Sequence, residues 1–264
     1  MLLVDYHIHT YLCKHADGTI EEYIKRAGEI GLSEIGFSDH APMPEWYDPE
    51  HRMKRGELPL YLKLIEKMRS VFPEQRIKIG IEVDYFNKTT DYVKEVIESY
   101  PFDYVIGSVH YIGGWGFDNP RNIKGFNQGD IFEIYKEYFS LVEDAANSRL
   151  FDIIGHPDLV KKFGYFPDRS YDELIKGVLK VMKDNDLCLE INTSGLRKPV
   201  KEIYPDRRFI EMAKDMEIPV TLGSDAHSPN DVGRDLDLAA EIIKKAGYQT
   251  IAAFKKRKRE EINI

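Results

Sequence analysis

The 264-residue chain has two cysteines, Cys13 and Cys188, and no apolar run approaching the roughly 20 residues needed to cross a bilayer. Each shortage excludes something. Two isolated cysteines cannot make a disulfide framework or a clustered cysteine zinc motif, so both read as small apolar residues, with Cys13 kept as a minor candidate ligand because histidines flank it. The opening MLLVDYHIHT has neither a basic leader nor a long apolar stretch, so no secretion signal is expected and the cytoplasm is the default location. Basic charge is also in deficit: 37 Lys and Arg against 45 Asp and Glu leave a net charge of −8, which disfavours long nucleic acid as a partner. The run KKRKRE at 255–260 is the exception and reads as a solvated helical tail. Neither GxGxxG nor GxxxxGK[ST] follows any apolar run, which argues against a dinucleotide or P-loop protein. With 42% hydrophobic and 31% charged residues, disordered and fibrous classes are excluded, and the length suits one large barrel domain spanning 1–264.

What is present is an alternation. Short runs rich in Val, Ile and Phe recur at 2–8, 34–40, 76–85, 102–111, 151–158, 187–195 and 219–227, each a candidate buried strand. Amphipathic helical patterns separate them, several opening on a capping residue with acidic neighbours, as at Thr19 with Glu21 and Glu22. Seven such repeats predict an α/β protein with a parallel sheet closed or nearly closed into a barrel, an open doubly wound sheet being the alternative. The segment 41–57, APMPEWYDPEHRMKRGE, reads as irregular and long enough to be a lid or substrate segment.

The histidines are distributed unevenly over this pattern. DYHIHTYLCKH at 5–15 holds His7, His9 and His15, three of only eight in the chain. His7 and His9 are two apart on a strand and project to one side. His40, His110 and His156 close the second, fourth and fifth runs, Glu82 interrupts the apolar third, and Asp225 and His227 follow the seventh. Ends of parallel barrel strands share one mouth, so seven histidines are expected to meet there, whereas His51, in the irregular segment, reads as a solvated loop residue. Seven histidines with Glu82 and Asp225 exceed one tetrahedral site, so two to three divalent ions are expected, zinc, manganese or iron for imidazole and carboxylate donors.

HxH at His7 and His9, His15, SDH at 38–40, GIEVD around Glu82, GSVH at 107–110, GHPD at 155–158 and SDAH at 224–227 together resemble the motif set of the PHP (polymerase and histidinol phosphatase) superfamily, from residue 5 to about 235. The resemblance implies a distorted (β/α)7, TIM-barrel-like PHP fold. It also implies three ion sets: His7, His9, Glu82 and Asp225; Glu82, His110 and His156; and His15, His40 and His227, with Glu82 bridging the first two.

Such a centre suits phosphate ester hydrolysis, because bound ions supply hydroxide near neutral pH and neutralise phosphoryl oxygens. The expected reaction is in-line attack by a metal-bridging hydroxide, with Asp225 or His227 passing a proton to the leaving alkoxide. Segments 40–65, 108–120 and 190–198 resemble the histidinol-phosphatase branch, which implies a small phosphorylated amino alcohol, L-histidinol phosphate, as substrate. Arg197 is the expected phosphate clamp. Glu190 and Asn192 could face the mouth or serve structural hydrogen bonds, Trp115 and Phe117 could wall the imidazole, and Arg52 is expected to be exposed. The rivals are another PHP activity on nucleotides, a metal-dependent amidohydrolase, and a non-catalytic metal-binding module; the oligomeric state is left open.

Overall fold

The computed structural model describes residues 3–264, so Leu2, where the first expected strand run begins, lies outside the described residues. Strands β1 (Val4–Asp5), β2 (Glu34–Phe37), β3 (Arg76–Asp84), β4 (Tyr104–Ser108), β5 (Ile153–Ile154), β6 (Cys188–Asn192) and β7 (Val220–Gly223) pair in that order, each pair parallel. Helices α1 (Ile20–Glu29), α2 (Leu58–Val71), α3 (Thr90–Glu98), α4 (Ile131–Asn147), α5 (Asp172–Asp184), α6 (Arg207–Asp215) and α7 (Leu236–Lys245) follow their strands one by one. The local causes are those expected. Thr19 and Glu22 form a reciprocal capping box at the start of α1, and α5 buries Ile175, Val178, Leu179 and Met182, a stripe at helical spacing.

The sheet nearly closes. At the seam between β7 and β1, Tyr6 N donates to Leu222 O at 3.0 Å, Ala226 N to His7 O at 3.1 Å and His9 N to Ala226 O at 2.9 Å. The buried Asp5 carboxylate adds a clasp, accepting from Ser224 N (2.9 Å), Ser224 Oγ (2.5 Å) and Gly233 N (2.8 Å). Inside the barrel, Tyr104 stacks on Tyr6 at 4.8 Å and donates to Tyr6 O at 2.7 Å. Gly80 is required beside it, because a Cβ there would stand 2.3 Å from the Tyr104 ring. One apolar core contains both Leu3 and Phe254.

The basic run at the C-terminus corrects the expectation of a helical tail. Strands β8 (Thr250–Lys255) and β9 (Lys258–Asn263) form an antiparallel hairpin, turned by Lys256 and Arg257 at φ 51° and 64°. Ile251 to Phe254 are all buried, so packing against the barrel overrides the helical reading of the charges. Nor are all those charges merely solvated: Arg257 meets Asp152 and donates to Leu150 O at 2.8 Å, and Arg259 meets Asp186 at 2.7 Å. These partners precede β5 and β6, so the hairpin covers the strand N-termini, opposite the mouth. Segment 41–57 is irregular as expected, apart from a short 3-10 turn at Arg55–Glu57. Phe117 is fully buried against Tyr138, and Trp115 packs on Phe126; neither walls the mouth, because packing claims both rings.

Asp103, next to β4, accepts from Ile79 N and Lys256 N, both at 3.1 Å, and pairs with Arg69 at 2.5 Å. Removing one buried acceptor orphans these donors, so Asp103→Ala should cost about 3 kcal/mol in urea unfolding, with divalent-ion uptake unchanged.

Candidate metal centre

The nine residues singled out by the strand-end pattern converge at the C-terminal mouth of the barrel. His15, His40, Glu82, His110, His156, Asp225 and His227 line a cavity of about 490 Å³, and His7 and His9 sit fully buried behind that lining. Three groups emerge whose donor atoms lie within 4.8 Å of one another: His7, His9 and Glu82; Glu82, His110 and His156; His15, His40 and His227. Asp225 Oδ1 stands 3.2 Å from His9 Nε2 and 3.9 Å from His7 Nε2, beside the first group. Glu82 belongs to two of the groups, and its two oxygens reach nitrogens of both. Its Oε1 lies 3.3, 3.8 and 3.1 Å from nitrogens of His7, His110 and His156, and its Oε2 lies 3.7 and 2.8 Å from those of His9 and His40.

The hydrogen bonds determine which ring nitrogens are free. His15 Nδ1 lies 2.9 Å from Cys13 O and His227 Nδ1 lies 3.1 Å from Asp225 O. A carbonyl only accepts, so each Nδ1 carries the proton and each Nε2 keeps a bare lone pair. Those two Nε2 atoms face each other at 3.0 Å. Burial, with His40 and His9 nearby, lowers the His15 pKa to about 4, and burial with His9 holds His227 well below the ordinary imidazole value. Two neutral rings with opposed lone pairs repel unless a cation takes them both. The same logic holds deeper in. His7 Nδ1 donates to Glu190 Oε1 at 2.5 Å, leaving His7 Nε2, like His9 Nε2 and Glu82 Oε2, buried without a hydrogen bond. Burial alone would raise the Glu82 carboxyl, but His7, His40 and the hydrogen bond with His156 outweigh it and hold the group ionised. The donor set therefore fits divalent ions that favour imidazole and carboxylate. Cys13 lies with His9 and His227 in a further group, but burial raises its thiol pKa and keeps it protonated.

The supporting shell is where the sequence was least informative. Glu190 and Asn192 do point inward, but to hydrogen bonds: Glu190 Oε2 accepts from His156 N at 2.8 Å and Asn192 Nδ2 at 3.2 Å, and Asn192 Oδ1 accepts from Ser194 N at 2.9 Å. Asp84 takes His110 Nδ1 and Arg52 Nη2, the latter at 2.7 Å. It was not singled out, although its position two residues after Glu82 on β3 puts it on the same face of the sheet. Asp39 accepts from His40 N at 2.8 Å and lies 3.6 Å from His9 Nδ1.

One loop residue departs from expectation. Arg52, expected to be exposed, is only 4% exposed, because its guanidinium meets both Asp84 and Asp48. His51 is a solvated loop residue as expected, its side chain 40% exposed, and it also forms part of the cavity wall, its Nδ1 2.7 Å from Asp48 Oδ1 and its ring 5.5 Å from that of His15. Across the cavity, Arg197 donates through Nη2 to Ser224 O at 2.5 Å, and its Nε lies 3.6 Å from Asp231, leaving Nη1 buried and unpartnered. Lys198 shares that wall and went unnoticed in the sequence, as surface lysines usually do.

A seven-stranded parallel (β/α) barrel with a histidine and carboxylate mouth defines the class. The chain belongs to the PHP domain family, whose model matches residues 5–194. It is 44% identical to a probable histidinol-phosphatase of Deinococcus radiodurans, over 97% of this chain and 98% of that one. It is 30% identical to the histidinol-phosphatase of Bacillus subtilis, over 87% and 95%. The fold superposes with a TM-score of 0.86 on a crystal structure of the Lactococcus lactis histidinol phosphate phosphatase complexed with zinc, L-histidinol and phosphate, at 27% identity and 98% coverage of each chain.

Glu190 joins two groups by holding His7 at its ring and His156 at its backbone. Glu190→Ala should therefore weaken divalent-ion binding by roughly 10- to 100-fold, as loss of such outer partners does, measured by zinc titration of chelator-stripped protein.

Proposed function

We propose that the chain is a metal-dependent phosphomonoesterase that hydrolyses L-histidinol phosphate to L-histidinol and inorganic phosphate. The observation that carries this reading is the convergence of nine imidazole and carboxylate side chains, with opposed bare lone pairs, on a cavity whose far wall offers an unpaired arginine nitrogen. The names of the relatives point to the same substrate. We read the whole chain as one catalytic unit, because a single core contains residues near both ends.

In this reading His7, His9, Glu82 and Asp225 hold one ion, Glu82, His110 and His156 a second, and His15, His40 and His227 a third, zinc being the ion in the Lactococcus lactis structure. Ions so placed lower the pKa of bound water and neutralise phosphoryl oxygens. The protein's own contribution is orientation and proton handling. Arg197, tethered at Nη2, turns Nη1 to a phosphoryl oxygen, and Lys198 adds positive charge on the same wall. Asp225 is kept ionised despite burial by His7 and His9, and its Oδ2 accepts from Ser194 Oγ at 3.1 Å. That oxygen takes the proton of the attacking water and returns it to the leaving alkoxide, while the Nδ1–H of His227, donated to the Asp225 carbonyl, helps to keep Asp225 in place. No helix among the described residues is long and apolar enough to cross a membrane, and a cavity lined by carboxylates together with Lys162, Arg197 and Lys198 suits a small substrate that carries both a phosphate and an amine.

The test is phosphate release from L-histidinol phosphate beside AMP and a dinucleotide, with and without chelator. Chelator-sensitive turnover with strong preference for L-histidinol phosphate is expected; preference for AMP or the dinucleotide would retain the metal chemistry and reject the substrate. Arg197→Ala should weaken phosphate inhibition by about 2 kcal/mol, the cost of leaving a charge-assisted pair unmade, and unchanged inhibition would exclude it as the clamp.

A further inference from the structure

Segment 41–57 is tied into the metal centre by one buried side chain. Arg52 Nη2 donates to Asp84 Oδ2 at 2.7 Å, and Asp84 Oδ1 accepts from His110 Nδ1. Arg52 also donates from Nη2 to Asp48 Oδ2 at 3.2 Å and from Nε to Asp48 O at 3.0 Å, its guanidinium lying 5.0 Å from the centre of the Tyr47 ring. Asp48 Oδ1 in turn holds His51 at the cavity wall. An unbroken chain of charged contacts thus runs from His110 through Asp84, Arg52 and Asp48 to His51. Asp48 stands at φ 42°, a left-handed backbone that a non-glycine residue keeps only when its surroundings enforce it.

We propose that Arg52 is a positioning residue: it fixes Asp84, and so the ring of His110, while fixing Asp48 and the cavity wall that carries His51. The inference rests on the reading of His110 as a metal ligand. An imidazole binds an ion well only when its other nitrogen is held, and Asp84 does that holding. Asp84 is fully buried, and its other oxygen is neutralised by Arg52. Without the guanidinium the carboxylate is left half-satisfied and free to rotate, and His110 loses its fixed direction. The coupling is reciprocal by thermodynamic necessity: if Arg52 strengthens ion binding at His110, an ion at His110 strengthens the seating of the segment. Nη2 meets both carboxylates while Nε of the same planar group meets the Asp48 carbonyl, a set of contacts that a single ammonium group does not reproduce.

The experiment titrates chelator-stripped wild type, Arg52→Ala, Asp84→Asn and the double variant with Mn²⁺, counting ions per chain and their affinities by electron paramagnetic resonance. One ion should bind roughly 10- to 100-fold more weakly in Arg52→Ala, the others unchanged, as expected for loss of an outer partner; Asp84→Asn should weaken the same ion, and the double variant should add little. A residue that merely anchors the loop would lower stability and leave every ion affinity alone, and that outcome overturns the proposal, as does equal weakening of all ions. If circular dichroism shows Arg52→Ala misfolded, Arg52→Met, which fills the space without charge, is judged by the same criteria. Wild-type protein that takes up no ion would instead overturn the metal reading itself, an outcome distinct from normal uptake that Arg52→Ala leaves untouched.

Discussion

A buried carboxylate among five imidazoles sets the terms for this structure. Glu82 is fully excluded from water, and a charge in that position is costly unless it is matched. The strands end around it, and nitrogens of His7, His9, His40, His110 and His156 all stand within 4 Å of its two oxygens. The matching charge has to come from protons or from metal ions. His7 illustrates the choice: burial opposes its protonation, yet Glu190, Glu82 and Asp225 together outweigh burial and raise its pKa well above the ordinary value. Carboxylates that draw a proton onto the buried His7 offer the same attraction to divalent ions, which satisfy several donors at once.

Behind this inner set stands a second set of carboxylates, each already committed. Glu190 holds His7 and the His156 backbone, Asp84 holds His110 and Arg52, and Asp39 holds the His40 backbone and Thr10. The roles divide by position along the strands. On β3 Glu82 lines the cavity, whereas Asp84, the next residue on the same face, is claimed by Arg52 of the neighbouring loop and holds His110 in place. This division explains how one mouth can be crowded with acidic groups without its acids competing for the same proton.

The alternation of apolar runs with amphipathic helices was legible because each run is buried on both faces and each helix carries a one-sided stripe, and the seven parallel strands fall within the expected segments. The histidine positions were legible for a related reason: a strand end is a fixed place in a barrel, so spacing along the chain translates into a point in space. What failed depended on long-range partners. Arg52 looks like a surface arginine until Asp84, 32 residues on, is folded beneath it. Residues 255–260 look like a solvated charge run until Asp152 and Asp186 arrive to pair with Arg257 and Arg259. Trp115 and Phe117 leave a substrate wall open beside the commoner packing role until Phe126 and Tyr138 claim them. A charge or a ring has no direction in the sequence.

Two of the eleven non-glycine residues with positive φ among the described residues belong to the candidate metal centre. His156 sits at φ 25° and Asp225 at φ 53°, conformations that cost of order 1 to 3 kcal/mol each in a non-glycine residue. Both are at the mouth, immediately beyond short, fully buried strands. Each is held by a specific contact: the amide of His156 by Glu190 Oε2, and the carboxylate of Asp225 by Ser194 Oγ. With the backbone so turned, His156 Nε2 lies 3.1 Å from Glu82 Oε1 and Asp225 Oδ1 lies 3.2 Å from His9 Nε2. The strain is thus the local counterpart of the charge problem: the barrel provides a rigid frame that holds the His156 imidazole against the Glu82 carboxylate and the Asp225 carboxylate against the imidazoles of His7 and His9, each charge beside its complement.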